Sequence, residues 1–129
     1  MRLAASRERD NARRGHYDKD VRAEPLQLSL EERELDASNS ATVVHRCRET
    51  IAAAQQWDVA LDFGSVHFLD STAIGHLIAL REFVGRHDGS LAVVRVRRRA
   101  CRIFTSLGLI ELLDVSCEPD HSHLSTTGP

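Results

Sequence analysis

The change from strand to helix that decides this fold lies in residues 58–75, which read DVALDFGSVHFLDSTAIG. Apolar side chains first alternate, as a buried strand requires, and after residue 69 they recur at helical spacing. The alternating positions are Val59, Leu61 and Phe63. The helical positions are Ile74, Leu77, Ile78 and Val84. The stretch predicts a strand, a turn at Gly64 and Ser65, and a helix that begins near residue 71.

The polar cluster Asp70-Ser71-Thr72 stands at the start of the predicted helix. Side-chain oxygens of such residues accept hydrogen bonds from the free N–H groups of a helix's first turn. The strand therefore delivers Ser71 to the positive end of a helix, at the sheet edge where α/β proteins commonly place function. From the residues alone, Ser71 is interpreted as a helix N-cap.

The segment from Phe68 to Gly75 resembles the signature of the STAS domain in bacterial anti-sigma factor antagonists. Three further segments resemble the same family in the same order and spacing. They are residues 34–36 (ELD), 89–91 (GSL) and 103–109 (IFTSLGL). The resemblance covers residues 25–116 and implies the STAS architecture, in which helices pack beside a sheet of four or five strands.

The order of elements after residue 25 predicts the same class of fold. Strands alternate with helices, which is typical of a mixed, mainly parallel α/β sheet. Leu26, Leu28 and Leu30 alternate as the first of these strands, and residues 91–94 form an apolar run that suits a strand covered on both faces. A first helix has an apolar stripe, with Arg46, Arg48 and Glu49 on its other side. The stripe consists of Val44, Cys47, Ile51 and Ala54.

The residues at two positions predict specific backbone conformations. Gly108 follows a helix with one apolar face, so we expect it to end that helix at positive φ, before a short last strand near residues 112–115. Arg33 stands where the family has glycine before Glu34, so this turn must form without glycine's freedom.

Three segments are expected along the chain. Residues 1–23 are dense in charge and are predicted to be disordered, residues 24–117 form the STAS domain, and residues 118–129 form a flexible tail. Family members usually have a further strand before the first one assigned here. Residues 17–22 are the only candidate for it in the sequence, and a poor one.

Composition excludes several classes of function. The chain has 129 residues, 42% of them hydrophobic, and a net charge of −2, so no global field draws it to nucleic acid or to a membrane. No segment is apolar enough to span a bilayer or to act as a signal peptide. Three cysteines without a Cys-x-x-Cys pair argue against a disulfide framework and a structural zinc site, and favour a reducing cytoplasm.

The resemblance changes the interpretation of Ser71, because it occupies the position of the family's regulated serine. It implies that Ser71 is the phosphoacceptor, with Thr72 as the second candidate. A helix N-terminus accommodates a phosphate, whose charge would transform the surface that a partner meets.

An enzymatic function is not expected. His67, His76 and Asp70 lie near Ser71 in sequence, but His76 would lie far round the helix from it, and no nucleophile elbow is present. The glycines form no Walker loop and no dinucleotide-binding motif, so no cofactor is expected. The ATP for phosphorylation must then come with a partner, which the resemblance implies is an anti-sigma factor with serine-kinase activity.

The resulting hypothesis is an anti-sigma factor antagonist of the cytoplasm. Unphosphorylated, it binds the anti-sigma kinase and releases a sigma factor; phosphorylation of Ser71 switches it off, and a cognate phosphatase is a further candidate partner. The expected contact residues are Asp36, Ser38, Asn39, Asp70, Ser71, Thr72, Ala73 and His76. Ala73 replaces the glycine usual in regulated members, and its methyl group could obstruct a partner.

The alternative is a STAS scaffold or transporter accessory subunit, in a stressosome-like or lipid-transport complex, without regulated phosphorylation.

Two other clusters are weaker signals. Five arginines at positions 95, 97, 98, 99 and 102 suit a solvated turn or acidic groups on a partner, and without interleaved aromatics they do not indicate nucleic-acid binding. His121 and His123 supply only two ligands, so no metal site is predicted.

Overall fold

The computed structural model describes residues 2–4 and 24–119, and their main feature is a five-stranded sheet. In their order across the sheet, its strands are β1 (Arg2–Ala4), β2 (Leu26–Ser29), β4 (Asp58–Asp62), β6 (Ser90–Val96) and β7 (Val115–Cys117). The last four run parallel, and β1 is antiparallel to β2. The described helices are α1 (Ser40–Ala54), α2 (Ser71–Gly85) and α3 (Arg98–Ser106). The mixed, mainly parallel α/β fold predicted from the sequence is confirmed.

The central strand β4 is buried on both faces. Val59, Ala60 and Leu61 are all buried in succession, because the neighbours β2 and β6 pair along it while helices cover the sheet. Such continuous burial is typical of parallel strands. Phe63 directly follows β4 and packs near Phe104 of α3, with ring centroids 6.1 Å apart. The strand thus anchors the core below the loop that leads to Ser71.

The edge strand β1 is formed by Arg2–Ala4, and not by the segment that the sequence offers as a candidate. Arg2 pairs with Ser29, and Ala4 pairs with Gln27, which extends the sheet beyond β2. The segment 17–22, which was the sequence candidate for this strand, lies outside the described residues. A three-residue antiparallel edge needs backbone pairing more than an apolar face, and hydrophobic periodicity therefore does not reveal it.

A separate two-stranded sheet, β3 (Glu34–Leu35) and β5 (Phe68–Leu69), leads into the region around Ser71. Leu35 and Leu69 are buried in the core, whereas Glu34 and Phe68 face outward in register with each other. Arg33 does not need glycine's conformational freedom here, since its φ is not positive. Its carbonyl accepts hydrogen bonds from the backbone N–H groups of His67 and Phe68.

The first two helices pack against each other over the sheet. The buried stripe of α1 includes Val44, Cys47 and Ile51, as the spacing predicts. Arg48 does not point away from the core as expected; its guanidinium lies 5.4 Å from the ring centroid of Phe83 on α2. A long stem lets arginine cover an aromatic side chain while it remains partly solvated.

The third helix ends as its glycine predicts. Gly108 has φ of +70°, its N–H donates to the carbonyl of Thr105, and the N–H of Leu109 donates to that of Phe104. These two bonds are the Schellman arrangement that closes a helix with a residue in the left-handed region. Residues 110–114 then form a turn, so the last strand begins at Val115, later than predicted.

The prediction against a disulfide is wrong. Cys101 of α3 and Cys117 of β7 form a disulfide, with their Cα atoms 5.9 Å apart. The two residues are 16 positions apart, and only the packing of α3 beside β7 brings them together. Cys47 is buried and not in a disulfide. The cysteine count therefore gives no support to a reducing compartment.

Candidate functional site

The cap of α2 is Asp70, and this corrects the interpretation of Ser71 as the N-cap. Asp70 has extended backbone, and its Oδ1 accepts a hydrogen bond of 2.9 Å from the backbone N–H of Ala73. Ser71 is the first residue of the helix proper. Because the neighbouring carboxylate caps the helix, the Ser71 hydroxyl has no structural task there.

The Ser71 hydroxyl faces solvent. Ser71 and Thr72 are both exposed, and neither side chain has a hydrogen-bond partner among residues 24–119. An exposed hydroxyl at the positive end of a fifteen-residue helix can accept a phosphoryl group without displacing any packed atom. The site can therefore carry an anion at small cost to the fold.

The loop of residues 36–39 is held by its own side chains. Asp36 Oδ1 accepts hydrogen bonds from the backbone N–H of Ser38 at 2.9 Å and from its hydroxyl at 2.6 Å. These bonds hold the pKa of Asp36 below its ordinary value. Asn39 Oδ1 accepts from the Asp36 N–H, and its amide donates to the Glu34 carbonyl. The loop has a defined shape before any partner arrives.

Asp70 also ties this loop to the start of α2. Its second oxygen, Oδ2, accepts a hydrogen bond of 3.0 Å from the backbone N–H of Ala37, and its own N–H donates to the Leu35 carbonyl at 3.1 Å. One carboxylate therefore caps the helix and fixes the loop. The two segments that the sequence named as partner-binding are brought together by this residue.

The remaining two predicted contact residues have different places. Ala73 is 1% exposed and lies in the core, so its methyl group cannot obstruct a partner. His76 is half-buried, and its Nδ1 lies 2.8 Å from the hydroxyl of Ser40, the buried first residue of α1. This contact connects the starts of α1 and α2. It also occupies the imidazole with Ser40 rather than with Ser71.

Comparison with known proteins identifies the family. The sequence profile of the STAS domain matches residues 18–123. The chain belongs to the STAS domain family. A search of curated proteins finds no match.

Solved structures share the STAS fold at low sequence identity. A proposed anti-sigma factor antagonist from Thermotoga maritima aligns with a TM-score of 0.62 and 12% identity, over 80% of this chain and 88% of that one. The murine anion transporter Slc26a9, in its inward-facing state, gives 0.60 and 16% over 84% of this chain, which corresponds to 18% of the transporter. A sulfate transporter family protein from Wolinella succinogenes gives 0.55 and 18%, over 77% and 84% of the two chains.

A surface beside the STAS site was missed by the sequence analysis. Phe68 is 43% exposed, and it lies three positions before Ser71, the first residue of α2. Its neighbour His67 is half-buried, and partial burial together with the positive charges of Arg33 and Arg97 lowers the pKa of that imidazole. Outward-facing positions of a two-residue strand leave no periodic signal, so sequence could not separate Phe68 from core residues.

The arginine cluster is partly structural in this STAS domain. Arg95 has φ of +55°, where β6 departs from regular pairing, and its side chain forms ion pairs with Asp62 at 3.1 Å and Glu118 at 3.3 Å. Hydrogen bonding to Asp62 raises the pKa of Arg95. Arg97 Nε donates to the Gly64 carbonyl at 2.6 Å. Two of the five arginines therefore stabilise loops at this end of the sheet.

Within residues 2–4 and 24–119 no group of histidine, cysteine and acidic side chains could hold a metal ion. His121 and His123 lie outside the described residues. In the same ranges no helix has the length and apolar character needed to cross a bilayer.

Proposed function

We propose that this STAS protein is an anti-sigma factor antagonist of the cytoplasm, which binds an anti-sigma factor with serine-kinase activity and thereby releases a sigma factor. Phosphorylation of Ser71 ends the binding, and a cognate phosphatase restores it. The observation that carries this proposal is that Asp70 and Ser71, at the start of α2, have different roles. Asp70 caps the helix and holds the 36–39 loop, and Ser71 presents an unengaged hydroxyl to solvent.

The surroundings of Ser71 support a protein partner. The 36–39 loop, the first turn of α2 and the exposed Phe68 belong to connected segments, so polar groups and one aromatic side chain lie on the same end of the domain. Aromatic side chains with a polar surround are typical of the centres of protein interfaces. A phosphate on Ser71 would place its charge within this contact and weaken it.

The same geometry supports binding rather than catalysis. A serine nucleophile needs a base at hydrogen-bond distance, and the nearest candidate on α2, His76, contacts Ser40 instead. The likeness to the Thermotoga maritima protein fits an antagonist. The likeness to transporter domains fits the alternative, a scaffold or accessory subunit in which Ser71 has no regulatory role.

The first experiment identifies the kinase and then measures phosphate transfer. A pull-down from native lysate supplies the candidate, which is purified and incubated with ATP and this protein. We expect a single phosphate on the parent and on Thr72→Ala, and none on Ser71→Ala. Ser71→Ala should remain folded and still bind, because the cap belongs to Asp70.

A calorimetric titration of the kinase separates the two functions. Ser71→Asp should fold, since an anion suits a helix N-terminus, but its affinity should fall about tenfold or more because a charge enters the contact without a matched cation. Equal affinity of the parent and Ser71→Asp, together with phosphate uptake by Ser71→Ala, would contradict the switch and leave the scaffold function.

A further inference from the structure

Three arginines from separate segments form a basic patch around His67, next to β5. Arg33 precedes β3, and its carbonyl accepts hydrogen bonds from the N–H groups of His67 and Phe68 at 2.7 and 3.3 Å. Arg97 immediately precedes α3, and Arg99 is the second residue of that helix, which packs beside β5. Partial burial and then the positive charges of all three arginines lower the pKa of His67. The three guanidinium groups therefore act on one imidazole.

The positive charge of the basic patch is not neutralised within the described part of the chain. Arg33 and Arg99 are exposed, and their guanidinium groups form no ion pair or hydrogen bond within residues 24–119. Arg97 donates to an uncharged backbone carbonyl, which leaves its charge in place. The charge of Arg95, by contrast, is offset by two carboxylates. The basic patch is thus distinct from the arginine that stabilises the end of β6.

The basic patch is unfavourable in the isolated protein. Like charges that share a small region repel one another. Arg99 also lies in the first turn of α3, where a positive charge opposes the helix dipole, and that turn has no acidic side chain. The fold gains no described bond from the guanidinium groups of Arg33 and Arg99. A negatively charged partner would relieve this repulsion.

The surroundings of the basic patch favour a protein segment over a uniformly charged surface. Phe68 is exposed and directly follows His67, and aromatic side chains and arginines are enriched at the centres of protein interfaces. Glu34 faces outward in register with Phe68, and Asp36 and Asp70 directly follow β3 and β5. A bilayer of anionic lipid would meet these carboxylates together with the arginines. A protein segment can place its acidic groups opposite the arginines alone.

We propose that the basic patch and Phe68 form a docking surface for an acidic segment of another protein. Carboxylates of this segment pair with the guanidinium groups of Arg33 and Arg99, and its apolar side chains cover the ring of Phe68. The surface adjoins Ser71, but its selectivity for an acidic segment goes beyond the function proposed above. Neither the kinase nor the phosphate is needed to test it, so a failure of the Ser71 switch leaves the test unaffected.

The test titrates the isotope-labelled full chain with two synthetic peptides that differ only in charge. One has the sequence Glu-Leu-Glu-Glu-Leu-Glu, and the other has glutamine at every glutamate position. Amide shifts in NMR spectra give both the place of binding and the dissociation constant. We expect the acidic peptide to shift the signals of His67 and Phe68 and to bind about fivefold more tightly than the glutamine peptide, since each exposed ion pair contributes modestly. The preference should shrink as salt is added.

Two double variants locate the preference on the surface. Arg33→Gln/Arg99→Gln should bind the two peptides with affinities within about twofold of each other. Arg81→Gln/Arg86→Gln is the matched control, because it removes the same charge from exposed positions near the far end of α2. It should bind the acidic peptide within about twofold of the parent. Phe68→Ala should weaken both peptides by a similar factor, because it removes the apolar contact and leaves the charges.

Several results would overturn the proposal. They are equal affinities of the parent for the two peptides, a preference that survives high salt or the Arg33→Gln/Arg99→Gln change, an equal loss in the matched control, and shifts confined to other parts of the chain. Sedimentation with phosphatidylglycerol vesicles, lost in the same double variant and without a preference between the peptides, would assign the surface to lipid instead. If that double variant does not fold, the salt series and the paired peptides on the parent decide the question.

Discussion

Replacing Asp70 with alanine should destabilise the domain far more than replacing the adjacent Ser71. Asp70 carries two hydrogen bonds through separate oxygens, one to the N–H of Ala73 and one to the N–H of Ala37. Ser71 has no such bond in the described part of the chain. The two neighbours therefore differ in structural role although both fit a helix start in the sequence.

The size of the effect follows from the two bonds. Loss of a helix cap costs typically about 1 kcal/mol, and a charge-assisted bond in a partly exposed position adds about 1 kcal/mol. The expected loss for Asp70→Ala is about 2 kcal/mol of unfolding free energy. For a domain of roughly 100 residues this lowers Tm by about 8–16 °C.

Chemical denaturation measures this loss directly. Unfolding in urea can be followed by far-UV circular dichroism and by the fluorescence of Trp57, the single tryptophan of the chain. Asp70→Asn separates the two bonds, because its amide oxygen can still accept from Ala73 while its NH₂ group cannot accept from Ala37. We expect it to lose about half as much as Asp70→Ala, and Ser71→Ala to stay within about 0.5 kcal/mol of the parent.

Two outcomes would refute this reasoning. If Asp70→Ala unfolds at the same urea concentration as the parent, neither hydrogen bond contributes to stability. If Ser71→Ala loses as much as Asp70→Ala, the cap is the serine, and its hydroxyl is not available for modification in the way proposed.

Three further changes test other parts of the fold. Gly108→Val should cost about 1–2 kcal/mol through backbone strain alone, because a Cβ there meets no atom within 4 Å; Gly108→Asn should cost less, and equal melting of parent and valine variant would contradict the cap. Cys117→Ser should lose about 3 kcal/mol, as expected for a loop of this length, and a reductant should then have no further effect on its denaturation midpoint. Ser38→Ala should raise the pKa of Asp36 toward its ordinary value in an NMR titration. Since the folded-state pKa of this carboxyl is lowered, its contribution to stability is present at neutral pH and is lost as the pH falls through that pKa; an unchanged pKa would show that the Ser38 hydroxyl is not its cause.

Local patterns predicted much of the fold. The alternation of Leu26 and Leu28 predicts a strand, and Gly108 predicts a helix end; each prediction needs only a few neighbouring residues. The structure has the strand and the helix end at these positions. By contrast, the strand at Arg2–Ala4 and the disulfide at Cys101 depend on contacts between distant segments. Hydrophobic periodicity and cysteine counting do not contain that information.

The sequence predicted which residue types lie at the site, but not which of them bond to one another. The residue types at positions 36–39 and 70–72 indicated helix starts and a polar surface, and the structure brings these segments together. Which residue caps the helix could not be decided, since Asp70 and Ser71 have similar capping preferences. The burial of Ala73 and the outward position of Phe68 follow from the register of α2 and β5, which only the packed structure fixes.

The two connections between the starts of α1 and α2 have a consequence for the thermodynamics of association. Asp70 bonds to Ala37, and His76 contacts Ser40, so the loop and both first turns are ordered in the unbound protein. Ordering a backbone residue costs roughly 1–2 kcal/mol. Because the four residues of the 36–39 loop are already ordered, this cost does not reduce the binding free energy of a partner that docks here. Binding at this surface should therefore show a small heat-capacity change for its area, with no contribution from coupled folding.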